Sequence, residues 1–195
     1  RIIPLSVSKN DLPVLTQQLL AFLKQMLGED VSLGGKIEQL KGGFDTDTFG
    51  LDLLGTPLGF PNRLVLRLFR EKRESARVIR EAVIQNAVGE AGLPVPSIPL
   101  VTEGQLLIER PFILMERLRG TVLGSQMDDP SVISEFPELM ANLQGELHRI
   151  DSSEIRKLLT ENSIDVQSMM PRALLRRITE MAELCGGDLK PLNRW

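Results

Sequence analysis

Arg67 and Glu81 stand fourteen residues apart and are the first pair whose types and positions suggest chemistry. In "RLVLRLF", Arg63 to Phe69, strand alternation puts Leu64, Leu66 and Leu68 on one face and Val65, Arg67 and Phe69 on the other. Both faces are apolar, so Arg67 is a cation in a half-buried strand and requires an anionic partner or ligand. Glu81 shares a helical stripe with Val78, Ile84 and Val88, away from Arg73 and Arg80. A strand cation and an inward helix anion can pair across a sheet–helix interface. The bland alternatives are a purely structural ion pair, or a solvated Glu81 at the edge of its stripe.

Ahead of this strand lies "GGFDTDTF", Gly42 to Phe49. A glycine-bearing turn can aim backbone N–H groups at phosphate. It is equally an ordinary tight turn. Asp45, Asp47 and Gly50 partly imitate a calcium loop, but Phe49 and Thr56 stand where oxygen ligands belong. Asp45 and Asp47 flank the tip, where each would oppose a polyphosphate by about 1 kcal/mol in water-like surroundings.

The elements that must position these residues follow from periodicity. Leu15, Leu19, Leu20, Phe22, Leu23 and Leu27 recur at helical spacing from Asp11 to Leu27, with Asn10 or Asp11 as cap and Gly28 as stop. "KIEQL", "TFGLDLL" and "RLVLRLF" read as three strands joined by "KGGFDTD" and "GTPLGFPN". A helix is predicted from Glu74 to about Ala91, stopped by Gly92. "LPVPSIPL" carries Pro94, Pro96 and Pro99 and cannot be helical. "QLLIE" and "PFILMERL" read as a further antiparallel pair. "SEFPELMANLQGELHRID" and "PRALLRRITEMAELC" read as amphipathic helices. The order predicts an α+β fold, five antiparallel strands with an inserted helix followed by an all-helical part.

Composition excludes several classes. Charged residues make up 25% of the chain and the net charge is −3, which does not favour nucleic acid or an anionic membrane as partner. The single cysteine, Cys185, excludes an internal disulfide framework. No run of about 18 apolar residues is present, and no signal peptide is visible. A cytoplasmic protein is expected. The first residue is Arg1, not Met, so a segment of a longer protein is expected.

Taken in succession, "LKGGFDTDTFGLDL", "LVLRLF", "REAVIQNAVGEAGLPVPSIPL", "PFILMERLRG" and "LMANLQGELHRID" resemble the aminoglycoside phosphotransferase and choline kinase-like family, from about Leu33 to Asp151. The resemblance implies a protein-kinase-like N-terminal lobe over residues 1–118, then the first helices of a C-terminal lobe over 119–195, cut short. It implies ATP and Mg²⁺ as cofactors and a small molecule with a hydroxyl as acceptor. Gly42, Gly43, Thr46 and Thr48 would lie in the loop over the phosphates. Arg67 would reach the phosphates and Glu81 would orient it. Met115 would border the adenine pocket, and the Glu116 carbonyl and Leu118 N–H would bond the adenine edge. His148, the only histidine, is read as structural, since its element closes a helix in the family.

Asp188 and Asn193 have the five-residue spacing of the family's catalytic base and metal-holding amide. Gly186 stands where the family carries His. Leu189, Leu192 and Trp195 instead suggest a new helix capped by Asp188. The expectation is that no catalytic or metal-ligating residue lies within the chain and that the catalytic loop lies beyond it, with Asp188 and Asn193 as the alternative site. The rival function is a non-catalytic kinase-like module that binds a nucleotide or partner.

Overall fold

A computed structural model describes residues 7–8, 10–40, 46–70, 75–102, 107–126 and 128–167. The chain divides into two compact units, Arg1–Asp151 and Ser152–Trp195.

The first unit is built on an antiparallel sheet. β3 (Thr46–Leu54) and β4 (Arg63–Phe69) form its central pair, in register from Thr46 opposite Phe69 to Asp52 opposite Arg63. β6 (Phe112–Glu116) lies on the other side of β4, and β5 (Leu100–Val101) follows at that edge. β1 (Ser32–Leu33) and β2 (Glu38–Leu40) pair with successive stretches of β3.

The alternation in β4 separates two cores. Leu64, Leu66 and Leu68 face α1 (Leu12–Leu27), where they are buried with Leu15, Leu19 and Leu23. Burying each such side chain contributes about 1.5–3 kcal/mol. Phe22 of α1 meets Phe112 edge to face, with ring centroids 5.1 Å apart. On the opposite face Phe69 and Ile113 pack with Val78 and Ala82 of α2 (Ser75–Glu90) and with Ile98. The sheet is therefore covered on both faces, and the residues sharing a face with Phe69 lie beneath α2.

The α+β class stands, with corrections to its parts. The described sheet has six strands where five were predicted, because the two-residue β1 is too short to show a period. The strand expected at "QLLIE" is not formed over its described part. Leu107 and Arg110 instead close a tight turn, each donating its N–H to the other's carbonyl. The partner of β6 is Leu100–Val101, at the end of the proline-rich segment. That segment is clamped by Asn86, which accepts from Ile98 N–H at 2.8 Å and donates to Ile98 O at 3.0 Å. Asp11 stands at the N-terminus of α1 but does not cap it. Its carboxylate accepts from the Ser8 N–H and hydroxyl.

α3 (Pro130–Arg149) starts earlier than predicted, at Asp129, whose carboxylate accepts from Ser131 N–H with Pro130 opening the first turn. His148 is exposed in its last turn, where a basic group suits the helix dipole. The second unit contains α4 (Ser152–Glu161), which was not predicted. The helix expected over 171–185 lies outside the described residues.

Candidate functional site

Residues directly opposite in an antiparallel ladder project to the same face. Arg67 opposes Thr48 on one side and Ile113 on the other, and Phe69 opposes Thr46. Thr46, Thr48 and Arg67 therefore share the face covered by α2. Val65 opposes Gly50 and Met115, which extends this face toward the end of β6.

The expected ion pair is present. Arg67 Nη1 lies 3.2 Å from Glu81 Oε2, with about a quarter of each side chain exposed. α2 adds a partner that was not foreseen, Arg77, whose Nε donates to Glu81 Oε1 at 2.7 Å. Both guanidinium groups stack over the Phe69 ring, at 5.4 Å for Arg67 and 5.3 Å for Arg77. One carboxylate and one aromatic face thus hold two cations, which fixes Arg67 while leaving the site with excess positive charge. The sequence did carry a signal for Arg77, the four-residue step that lets it meet Glu81 on one helix face.

Asp47 corrects a sequence expectation. It opposes Leu68, so it projects to the α1 face, away from Arg67. There it is buried and paired with Arg110, Nη1 to Oδ2 at 2.7 Å. Arg110 also donates to the carbonyls of Phe69 at 2.7 Å and Leu68 at 3.1 Å. Asp47 therefore does not oppose an anion on the Arg67 face. Its charge is compensated within the sheet, and Arg110 ties down the strand end that carries Phe69.

At the other end of the face, Arg117 N–H donates to Arg63 O on β4, while Glu116 N–H donates to Ser97 O on the opposite side. The Glu116 carbonyl, which points the same way as its N–H in extended chain, turns away from β4. Leu118 is half exposed, and its N–H makes no hydrogen bond among the described residues. These are the two main-chain groups expected at a base edge. Gly42, Gly43, Asp45, Asp188 and Asn193 lie outside the described residues.

A groove of about 470 Å³ opens between α2 and the proline-rich segment, lined by Gln85, Gly89, Glu90, Val95, Ser97 and Glu116 among others. Arg67 and Glu81 are not among its walls.

A model of the phosphotransferase enzyme family matches residues 36–180, more than half of the chain. The chain belongs to the phosphotransferase enzyme family. A solved structure from Ralstonia eutropha, provisionally named an aminoglycoside phosphotransferase, is 28% identical over 55% of this chain, with a TM-score of 0.40. The match covers 29% of that structure, so this phosphotransferase chain corresponds to less than a third of its length. No curated protein matches the chain.

The donor set fits part of what a phosphotransferase handles. Arg67 is a fixed cation, and Thr46, which is buried, and Thr48 share its face. A magnesium cage is another matter. Among the described residues no group of three or more His, Cys, Asp or Glu side chains could hold a metal ion. No helix among them is long and apolar enough to cross a membrane.

Proposed function

We propose that this chain carries the nucleotide-binding part of an ATP-dependent kinase that transfers the γ-phosphoryl group to a hydroxyl of a small molecule. The observation that carries this reading is the Arg67–Glu81 pair on the same sheet face as Thr46 and Thr48. Arg67 would hold the phosphates, Glu81 would hold Arg67, and the Gly42–Gly43 turn would close over them. Met115, the Glu116 carbonyl and the Leu118 N–H would take the base. The boundary between the nucleotide lobe and the helical lobe would fall at 118/119. Phosphoryl transfer relies on positioning and charge stabilisation, so a fixed cation on this face is what the reaction needs from this half. Magnesium would arrive with the nucleotide, and the protein would work in the cytoplasm.

Calorimetric titration with ATP and magnesium tests the reading. The chain should bind ATP, and Arg67→Ala should weaken binding by about tenfold or more, the loss expected for a charge-assisted contact. Equal affinity in the two proteins overturns the assignment of Arg67.

The acceptor chemistry is tested separately, in the longest natural form of the protein. Asp188→Asn should leave transfer intact, because Asn and Asp cap a helix equally well. A fall of about a hundredfold or more would make Asp188 the general base. ATP binding without transfer to any hydroxyl compound in that form would favour a binding module over an enzyme.

A further inference from the structure

Glu81 holds two arginines, and it holds them unequally. Arg77 Nε lies 2.7 Å from Oε1, while Arg67 Nη1 lies 3.2 Å from Oε2. The two contacts also differ in kind. Arg77 and Glu81 stand four residues apart on α2, so their contact is internal to one helix. Arg67 reaches Glu81 from β4, so its contact depends on how helix and sheet pack. Among the described residues Glu81 is the one hydrogen-bond partner of Arg67, which leaves most of its guanidinium donors unused by the protein. The Phe69 ring supports both cations.

A phosphate on Arg67 competes with Glu81, since both are anions drawing on one guanidinium. The further Arg67 turns toward phosphate, the less it compensates the carboxylate. Glu81 is only about a quarter exposed, so leaving it without a cation is costly. Arg77 removes that cost, because its own hold on Oε1 does not depend on Arg67. Resting on the nucleotide site proposed above, we propose that Arg77 is a positioning residue of that site, which keeps Glu81 paired and oriented while Arg67 turns to the phosphates. Its effect reaches the nucleotide through the carboxylate and not by direct contact. The shorter distance to Arg77 and the step of four residues within one helix are what suit it to this part.

The test titrates ATP with magnesium, and inorganic tripolyphosphate, into the intact chain, Arg77→Gln, Arg77→Lys, Glu81→Gln and the double variant Arg77→Gln with Glu81→Gln. Arg77→Gln should weaken both ligands about three- to fivefold, the upper range for a partly exposed ion pair. Arg77→Lys keeps a cation beside Glu81 and should recover most of that loss. In the Glu81→Gln background no carboxylate charge needs balancing, so Arg77→Gln should change affinity by less than about twofold. An equal loss in the two backgrounds overturns the proposal, and would place Arg77 on the phosphates themselves. Unchanged affinity in Arg77→Gln also overturns it and leaves the nucleotide site standing. Urea unfolding of the same proteins separates a purely structural role: affinity that only tracks the unfolding midpoint across the set overturns the proposal as well. Failure of the intact chain to bind either ligand overturns the nucleotide site, and the role of Arg77 with it.

Discussion

Arg110 and Asp47 are 63 residues apart in sequence and meet at 2.7 Å inside the sheet, with under a tenth of either side chain exposed. The pair joins the turn before β6 to the start of β3. Removing Asp47 leaves the buried Arg110 guanidinium without its counter-charge, and removing Arg110 takes the guanidinium away from buried Asp47. Asp47→Ala or Arg110→Ala should each lower stability by about 3 kcal/mol or more, measured by urea unfolding. Replacing both with apolar residues, Asp47→Leu with Arg110→Met, should cost less than the sum of the single changes. Additive losses would count against a compensated pair.

Glu81 is shared by Arg67 and Arg77, so the two guanidinium groups are coupled through one carboxylate. All three side chains are a quarter to a third exposed, and screening keeps each contact modest. A double-mutant cycle between Arg77 and Glu81 should return a coupling of about 0.5 kcal/mol. Phe69 bears both cations and is fully buried, so Phe69→Leu should cost more, about 1–2 kcal/mol. A cycle with zero coupling would mean that Arg77 does not hold Glu81 in solution.

Two glycines of one strand and its turn should respond differently to alanine. Gly55 has φ 73°, and a Cβ there would run into the Asp30 carbonyl, a main-chain atom that cannot swing away. Gly55→Ala should lower stability by about 2–3 kcal/mol. At Gly50 the obstacle is the far end of Arg117, which can move, so Gly50→Ala should cost under about 1 kcal/mol. Thermal unfolding of the two variants side by side decides the matter.

Asp129 caps α3, and its hydrogen bonds from the Ser131 hydroxyl and N–H hold its carboxyl below the ordinary aspartate value of 3.8. A carboxylate depressed in the folded state contributes stability that is present above that value and lost as pH falls through the lower folded one. Helical circular dichroism should therefore show a loss below about pH 3.8 that Asp129→Asn lacks, since Asn caps without titrating. An identical acid limb in both proteins would show that the cap does not govern the helix.

The Arg67–Glu81 relationship was legible because it rests on two local periods, alternation along β4 and the stripe on α2. Arg110 and Arg117 were not, because nothing local marks an arginine that must reach 63 residues back or fold over a glycine two strands away. The turn at Leu107–Arg110 was misread for a physical reason. Ile108 and Glu109 both take positive φ, 44° and 62°, where tight hairpin turns usually place Asn or Gly. Such a conformation costs roughly 1–2 kcal/mol per residue. It is offset by the bonds of Arg110 and by Gln18 Oε1, which accepts from Ile108 N–H at 2.6 Å. Asp47 was misplaced because "FDTDTF" gives its distance from the turn but not the side of the sheet on which it lands.

α3 buries none of its side chains, and Ile133, Met140 and Leu147 recur along it every seven residues, all exposed. Partly exposed Phe136 and Leu143 fall between them and complete an apolar seam. A seam of this kind governs how the chain behaves in bulk. Apolar association weakens on cooling and strengthens in sulfate or phosphate buffers. Turbidity should therefore rise as the chain is warmed or salted with sulfate. Solutions should clear again on chilling, a colloidal reversibility that a misfolded aggregate does not show.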